Sequence, residues 1–233
     1  MNALTFCFLS TTDYDAPQFG SRQQVALELA RRGHRLLFVE TPRALHSLIT
    51  DPAGTRRALG RLGRLRPVAE RLYAYTPWPV LPHYYHPWPN AINQRLLAGD
   101  VRRALRRLRW RPDVLWTYWP NTAPLLGRLG ERCVVYHCID DFAAAGYPLT
   151  STQTIAAMER RLCERVDLIV ARTQALAEAK RTWNPHTLFL PGGVDTTLYV
   201  PPERFALRIG GWSPTRESAF NAEPALWAVR RGP

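Results

Sequence analysis

An imidazole and two carboxylates close a short apolar run: His137, Asp140 and Asp141 follow Cys133 to Tyr136, with Cys138, Ile139 and Phe142 among and after them. Such side chains can orient a hydroxyl or take its proton, which is general-base chemistry. The run reads as a buried strand, and in parallel α/β sheets ligands bind beyond the carboxyl ends of the strands, where these three residues would stand. They also have a plainer use, since Asp after a strand opens turns and caps the next helix. A second place for chemistry is Gly20 with Arg22, between an apolar run and a helical stripe. A glycine there lets backbone N–H groups approach an anion at the helix N-terminus, with the guanidinium close by; a simple turn glycine is the alternative. Neither a G-x-G-x-x-G fingerprint nor a G-x-x-x-x-G-K-[ST] phosphate loop is present, so neither a dinucleotide dehydrogenase nor a P-loop NTPase is supported.

The elements that must position these residues alternate. Leu4 to Leu9 reads as a first strand, Val25, Ala26, Leu29 and Ala30 as the stripe of a helix ended by Gly33, and Arg35 to Glu40 as a second strand. Strand, helix and strand make a βαβ unit. Arg71 to Tyr75 is a further strand. A proline-dense loop then runs to Asn90 and carries Trp78, Tyr84, Tyr85 and Trp88, aromatics that pack over the core or present a face to a sugar or lipid acceptor. His83 and His86 have a spacing found in metal sites, but no acidic or cysteine partner lies near them, and they read as surface histidines. Asn90 is expected to cap a helix whose buried stripe is Ile92, Leu96, Leu97, Val101, Ala104, Leu105 and Leu108, with Arg102, Arg103, Arg106, Arg107 and Arg109 opposite. After it come a strand at Val114 to Tyr118, a short helix at Ala123 to Leu129, the strand before His137, a helix through Ile155, Met158, Leu162 and Val166, a strand at Leu168 to Ala171, a helix from Gln174 to Arg181 capped by Thr173, and a last strand at Thr187 to Leu190. This alternation predicts an α/β fold, a Rossmann-like doubly wound and mostly parallel sheet.

Composition bounds the partners. Of 233 residues, 31 are Lys or Arg against 19 Asp or Glu, a formal charge of +12, and every basic residue but Lys180 among those 31 is Arg. That balance favours anionic partners such as phosphates or acidic lipid, and an Arg-rich composition also arises from a genome rich in G and C. Thr55 to Arg66 sets Leu59, Leu62 and Leu65 among arginines, a basic amphipathic segment that either lies on anionic lipid or is a solvated surface insertion. No nucleic acid is expected, because Trp and Tyr sit in proline-rich loops instead of interleaving with Arg as a stacking platform would. Cys7, Cys133, Cys138 and Cys163 lie in apolar segments without a CxxC pair, which suits reduced thiols. With neither a signal-peptide pattern nor a long apolar run, the expectation is a cytoplasmic protein that at most touches the inner face of a membrane.

Four stretches, taken together and in order, resemble the N-terminal domain of the GT-B glycosyltransferases, specifically the bacterial family-four or group-one enzymes of exopolysaccharide and teichuronic-acid synthesis. They are Cys7 to Asp15 running on through Arg22, Gln23 and Gln24; Ala30 to Glu40 around Gly33 and His34; Tyr136 to Phe142; and Leu190 to Asp195. The resemblance covers about residues 5 to 202. It implies transfer of a sugar from a nucleotide-sugar donor to a cell-surface polysaccharide or lipid-linked acceptor, without a cofactor or metal. In that scheme Asp140, with Asp141 or His137, orients or deprotonates the acceptor hydroxyl, and the Gly20 loop with Arg22 faces the donor phosphates. Relatives often have Asp at the position of His137, and many have paired glycines where this chain has Gly20 alone. Residues 1–202 are expected to form the acceptor-side Rossmann-like domain. Residues 203–233 carry no periodic stripe and are expected to be an irregular tail, possibly frame-shifted, in place of a second domain. A Rossmann-like module that binds a phosphorylated sugar or polyprenyl lipid without catalysis is the alternative, and a basic nucleic-acid binder is a weaker one.

Overall fold

The computed structural model describes residues 3–17, 19–43, 59–82, 85–144 and 151–193. Expectations for His83, Tyr84, Thr55 to Ala58, Val194, Asp195 and the tail 203–233 lie outside these residues. The elements in chain order are β1 (Thr5–Leu9), α1 (Ser21–Arg31), β2 (Arg35–Val39), β3 (Leu65–Ala69), β4 (Leu72–Tyr75), α2 (Pro87–Leu108), β5 (Val114–Thr117), a 3₁₀ turn (Ala123–Leu125), β6 (Cys133–Cys138), α3 (Thr152–Cys163), β7 (Leu168–Ala171), α4 (Gln174–Arg181) and β8 (Thr187–Phe189). They build one eight-stranded sheet in the order β3-β4-β2-β1-β5-β6-β7-β8, parallel except for β3 at its edge. The fold is therefore the expected Rossmann-like α/β sheet.

Strand side chains alternate between the faces, and both faces are covered. Cys7, Leu9, Leu37, Val39, Leu115 and Tyr136 pack on one side with Leu97, Val101, Ala104 and Leu105 of α2 and Leu162 of α3. Phe6, Phe8, Leu36, Phe38, Leu72 and Ala74 pack on the other with Ala26 and Ala30 of α1. Gly33 ends the first helix at φ 89°, the left-handed region that favours glycine.

The amino ends of the strands are tied down by side chains. Asp113 Oδ2 accepts from the Thr5 N–H at 2.9 Å, Asp167 Oδ2 from the Val134 N–H at 2.7 Å, and His34 Nδ1 from the Leu4 N–H at 3.2 Å. Each bond satisfies a backbone donor that a strand end would otherwise leave without a partner.

Several local expectations are corrected. The segment before β4 ends in strand β3, whose Pro67 is tolerated because the strand lies at the sheet edge. Two of its arginines are engaged: Arg61 and Arg66 reach Asp15 at 2.8 and 2.7 Å, and Arg66 also reaches buried Glu40 at 2.6 Å. Helix α2 begins at Pro87, not after Asn90, with His86 in the capping position; prolines fit a first helical turn because its N–H groups have no intrahelical acceptor. Asn90 is thus inside the helix, and Ile92 and Leu96, expected in the core, are exposed. The helix expected at Ala123 to Leu129 shrinks to one 3₁₀ turn.

One ionic contact is deeply buried. Lys180 Nζ of α4 lies 2.8 Å from Glu159 Oε2 of α3, with the two residues 4% and 1% exposed. The Tyr136 hydroxyl donates to Glu159 Oε1 at 2.8 Å, and the ammonium sits 4.7 Å from the centre of the Trp183 ring. Removing one member strands a charge in the core. Lys180→Met is expected to destabilise by about 3–5 kcal/mol, and Lys180→Met combined with Glu159→Leu to recover part of that loss. Chemical denaturation of the three proteins checks it; equal losses in the single and double variants would show that the charge pairing is not what matters.

Candidate functional site

The sheet changes direction beside β1. From β1 the chain crosses to β2 on one side, and it later returns from β4 to β5 on the other. A crevice opens outside the carboxyl ends of strands at such a switch point. Here the loops leaving β1 and β5 meet above it, where Trp119 Nε1 donates to the Ser10 carbonyl at 2.8 Å.

On the α2 side of this bridge is a cavity of about 70 Å³, lined by Ser10, Glu40, Asn93, Gln94, Trp119 and Asn121 among others. Most of its surface is apolar, from Leu9, Val39, Val80 and Leu97, and its amides are tied into the surrounding backbone. Asn93 accepts from the Leu81 N–H at 2.8 Å and donates to the Leu81 carbonyl at 3.0 Å, Asn90 donates to the Asn121 carbonyl at 2.8 Å, and Gln94 donates to Asn90 Oδ1 at 3.2 Å. Gln94 Oε1 is buried with no hydrogen-bond partner. Glu40, the one carboxylate of the lining, is committed: it accepts from the Tyr14 N–H, the Thr76 hydroxyl and Arg66.

On the α1 side the groups are charged. Arg22, in the first turn of α1, places its guanidinium carbon 5.6 Å from the centre of the Tyr118 ring. Arg172, directly after β7, holds Asp140 at 3.0 Å, with both side chains about half exposed. His137 is buried between aromatic rings, 5.0 Å from Tyr118 and 5.7 Å from Trp116, and its Nδ1 has no hydrogen-bond partner. Burial foremost, then the charges of Arg22 and Arg172, push the His137 pKa down to about 4. At neutral pH the imidazole is uncharged. Burial also lowers the Arg22 pKa, opposed by Tyr118 and Asp140. The arrangement joins two cations, one ion-paired carboxylate and a neutral imidazole at the carboxyl edge, a place fit for an anion beside a hydroxyl.

The structure thus brings together Asp140, His137 and Arg22, at the end where α1 begins after Gly20. Gly20 itself needs no glycine-only conformation, at φ −97°, and its N–H donates to Gln23 Oε1 at 3.2 Å. Asp141 accepts from the N–H groups of Ala143 and Ala144, both at 3.1 Å, the turn-forming use that the sequence left open. The aromatic loop is divided. Trp78 and Trp88 are exposed, while Tyr85 is buried against Phe142, Ile155 and Met158, so Tyr85 offers no open face to an acceptor. Sequence reasoning missed Arg172, Tyr118 and the Asn93–Gln94 wall. Arg172 carried a usable signal, as it follows an apolar run and precedes a helix cap, the same carboxyl-end position as Asp140. Among the described residues no group of three or more His, Cys, Asp or Glu is placed to hold a metal ion, and no helix is long and apolar enough to cross a membrane.

Because His137 is held neutral in the fold and binds a proton near pH 6.5 when unfolded, the unfolded chain takes up more protons between about pH 6.5 and 4. Stability contributed by this group is complete above pH 6.5 and is lost as pH falls toward 4, on the order of 3 kcal/mol. His137→Gln is expected to flatten that part of the acid limb in denaturation curves taken from pH 7 to 4. An unchanged slope would place the proton uptake elsewhere.

No protein-family model matches the chain, and no curated protein matches it. Solved structures do. Sucrose-phosphate synthase from Thermosynechococcus elongatus superposes with a TM-score of 0.58 at 12% identity, over 85% of this chain and 50% of that one. MurG from Acinetobacter baumannii matches at 0.41 and 12% identity over 82% and 46%, and Os79 from O. sativa, solved with UDP, at 0.39 and 12% over 75% and 47%. The chain spans about half the length of each of these structures. At such identities the likeness to sucrose-phosphate synthase establishes shared fold alone: the described sheet has a Rossmann-like α/β fold that superposes on about half of that chain.

Proposed function

We propose that this chain is the acceptor-side domain, residues 1–202, of a glycosyltransferase that moves a sugar from a nucleotide-sugar donor to a cell-surface polysaccharide or lipid-linked acceptor on the cytoplasmic side of the membrane. The observation that carries the reading is the cluster of Arg22, Arg172, Asp140 and His137 at the carboxyl edge beside the β1/β5 switch point. The likeness of fold to sucrose-phosphate synthase supports it.

In this reading Arg22 and Arg172 attract the donor diphosphate. Guanidinium groups suit it because their forked N–H donors match phosphate oxygens. The first turn of α1 adds its outward N–H groups and positive dipole end. Asp140, oriented by Arg172, accepts the proton of the acceptor hydroxyl as the sugar's bond to the diphosphate breaks and its bond to the acceptor oxygen forms. His137 stays neutral and contributes a buried acceptor atom at Nδ1 without adding charge. Asp141 shapes the turn that presents Asp140. A second α/β domain, facing this edge, would hold the nucleotide.

Two substitutions separate the roles. Arg22→Gln is expected to weaken binding of a nucleotide-diphosphate sugar by roughly tenfold or more, since hydrogen bonds to charged groups contribute about 1.5–3 kcal/mol. Asp140→Asn is expected to leave that binding within a few-fold. Asp140→Asn is expected to lower transfer by about a hundredfold or more, the usual contribution of a positioned general base. Calorimetry with a panel of nucleotide sugars, and transfer to polyprenyl-linked acceptors, test this. Binding of none of them would sink the reading, and undiminished transfer by Asp140→Asn would remove Asp140 from the chemistry.

A further inference from the structure

Helix α2 is inside out over its first half. Its buried side there carries Asn90, Asn93 and Gln94, while Trp88, Ile92 and Leu96 face solvent at 70%, 36% and 57% exposure. These three recur every fourth residue, so they form one stripe about 12 Å long on the helix surface. Over the second half the usual order returns: Leu97, Val101, Ala104 and Leu105 are buried. The same outer face then continues as Arg102, Arg103 and Arg106, all exposed, with exposed Arg95 beside Leu96. At about 100° per residue, the apolar and basic groups fall within one arc of about 120°. Asp100, the only acidic residue of the helix, is buried and accepts from the Tyr75 hydroxyl and the Trp78 N–H, with Arg103 reaching it at 3.5 Å from the exposed side.

We propose that this face of α2 docks on the surface of an anionic lipid bilayer, with the Trp88–Ile92–Leu96 stripe entering the acyl boundary and the arginines lying among the headgroups. Apolar side chains ending in a tryptophan, joined to a cationic stretch without exposed acid, are what a helix lying in that interface needs. Charge complementarity selects this occupant. Pairing with a second copy would set arginines against a face that has no exposed carboxylate, and aliphatic Ile92 and Leu96 offer no stacking surface to nucleic-acid bases. The inference does not depend on the transferase reading. It has a consequence for it, because Asn93 and Gln94 on the helix's other side line the cavity, and docking would bring that cavity beside the lipid.

The test is flotation of the full chain with vesicles of phosphatidylcholine, with or without phosphatidylglycerol. The chain is expected to float with the anionic vesicles and not with the neutral ones. Each arginine near an anionic surface is worth about fivefold in partitioning. The double variant R102E/R106E, which leaves the Arg103–Asp100 contact in place, should therefore lose binding by a hundredfold or more, and W88S/I92S/L96S by at least tenfold, both with thermal unfolding unchanged from the parent. Brominated acyl chains should quench tryptophan fluorescence, and the quenching should shrink in Trp88→Phe. Binding of neutral and anionic vesicles alike, retention of binding by the arginine variant, or tighter binding to DNA than to the vesicles would overturn the proposal. So would a concentration-dependent dimer that W88S/I92S/L96S abolishes, since the face would then belong to a second copy.

Discussion

A parallel sheet covered on both faces leaves only its two ends where polar side chains can meet water or a ligand, and this constraint arranges the rest of the molecule. Phe6, Phe8, Leu36 and Phe38 on one face and Cys7, Leu9, Leu37 and Val39 on the other exclude chemistry from the flanks of β1 and β2. At the amino end, Asp113, Asp167 and His34 are consumed in holding backbone N–H groups. The polar groups left over gather at the carboxyl end. Asp140 is half exposed there, where Asp113 at the opposite end accepts from the Thr5 backbone N–H. Position in the sheet, more than residue type, separates a structural carboxylate from a candidate reactive one.

The buried Lys180–Glu159 contact belongs to the same economy of space. Strand β6 carries Tyr136 and Cys138 toward α3, and both reach Glu159 Oε1, at 2.8 and 3.6 Å. Two residues on, the strand has become the loop that bears Asp140. The ion pair therefore fixes, through Tyr136 and Cys138, the base from which the candidate site projects. Its partners come from α3, α4 and β6, so it also sets where two helices lie on that end of the sheet. A hydrophobic contact would hold the helices as firmly, but it would not specify which atoms of β6 they grip.

Much of this was legible in the sequence because burial leaves a periodic mark. Strand runs such as Leu36 to Val39 and the helix signal ending at Gly33 could only be read one way, and Thr173 is the helix cap it resembles, accepting from the Leu176 N–H. The edge strand β3 was not legible, since its arginines and Pro67 mimic a surface insertion and only pairing with β4 makes it a strand. Periodicity held over the second half of α2 and failed over its first half. Ile92 and Leu96 have the spacing of core residues, yet Asn90, Asn93 and Gln94 take the inner side because their amides satisfy the loop backbone at Leu81 and Asn121, which apolar side chains could not do. Arg172 could not be tied to Asp140 from sequence, because 32 residues separate them and only the pairing of β6 with β7 makes them neighbours.

The carboxyl edge is divided into two chemically different halves by the sheet itself. Trp119 and Ser10 join the β1 and β5 loops across the crevice, with cations toward α1 and a largely apolar lining toward α2. An anion is drawn to the first half by Arg22 and Arg172. The second half holds no fixed charge to displace, because Glu40 is already neutralised by Arg66. In the proposed transfer this keeps the doubly charged diphosphate at Arg22 and Arg172, with the reacting hydroxyl beside Asp140 and the uncharged remainder of the acceptor toward α2. His137 keeps that contrast sharp. Were it protonated, a third cation would join Arg22 and Arg172, and burial against Trp116 and Tyr118 prevents this at neutral pH.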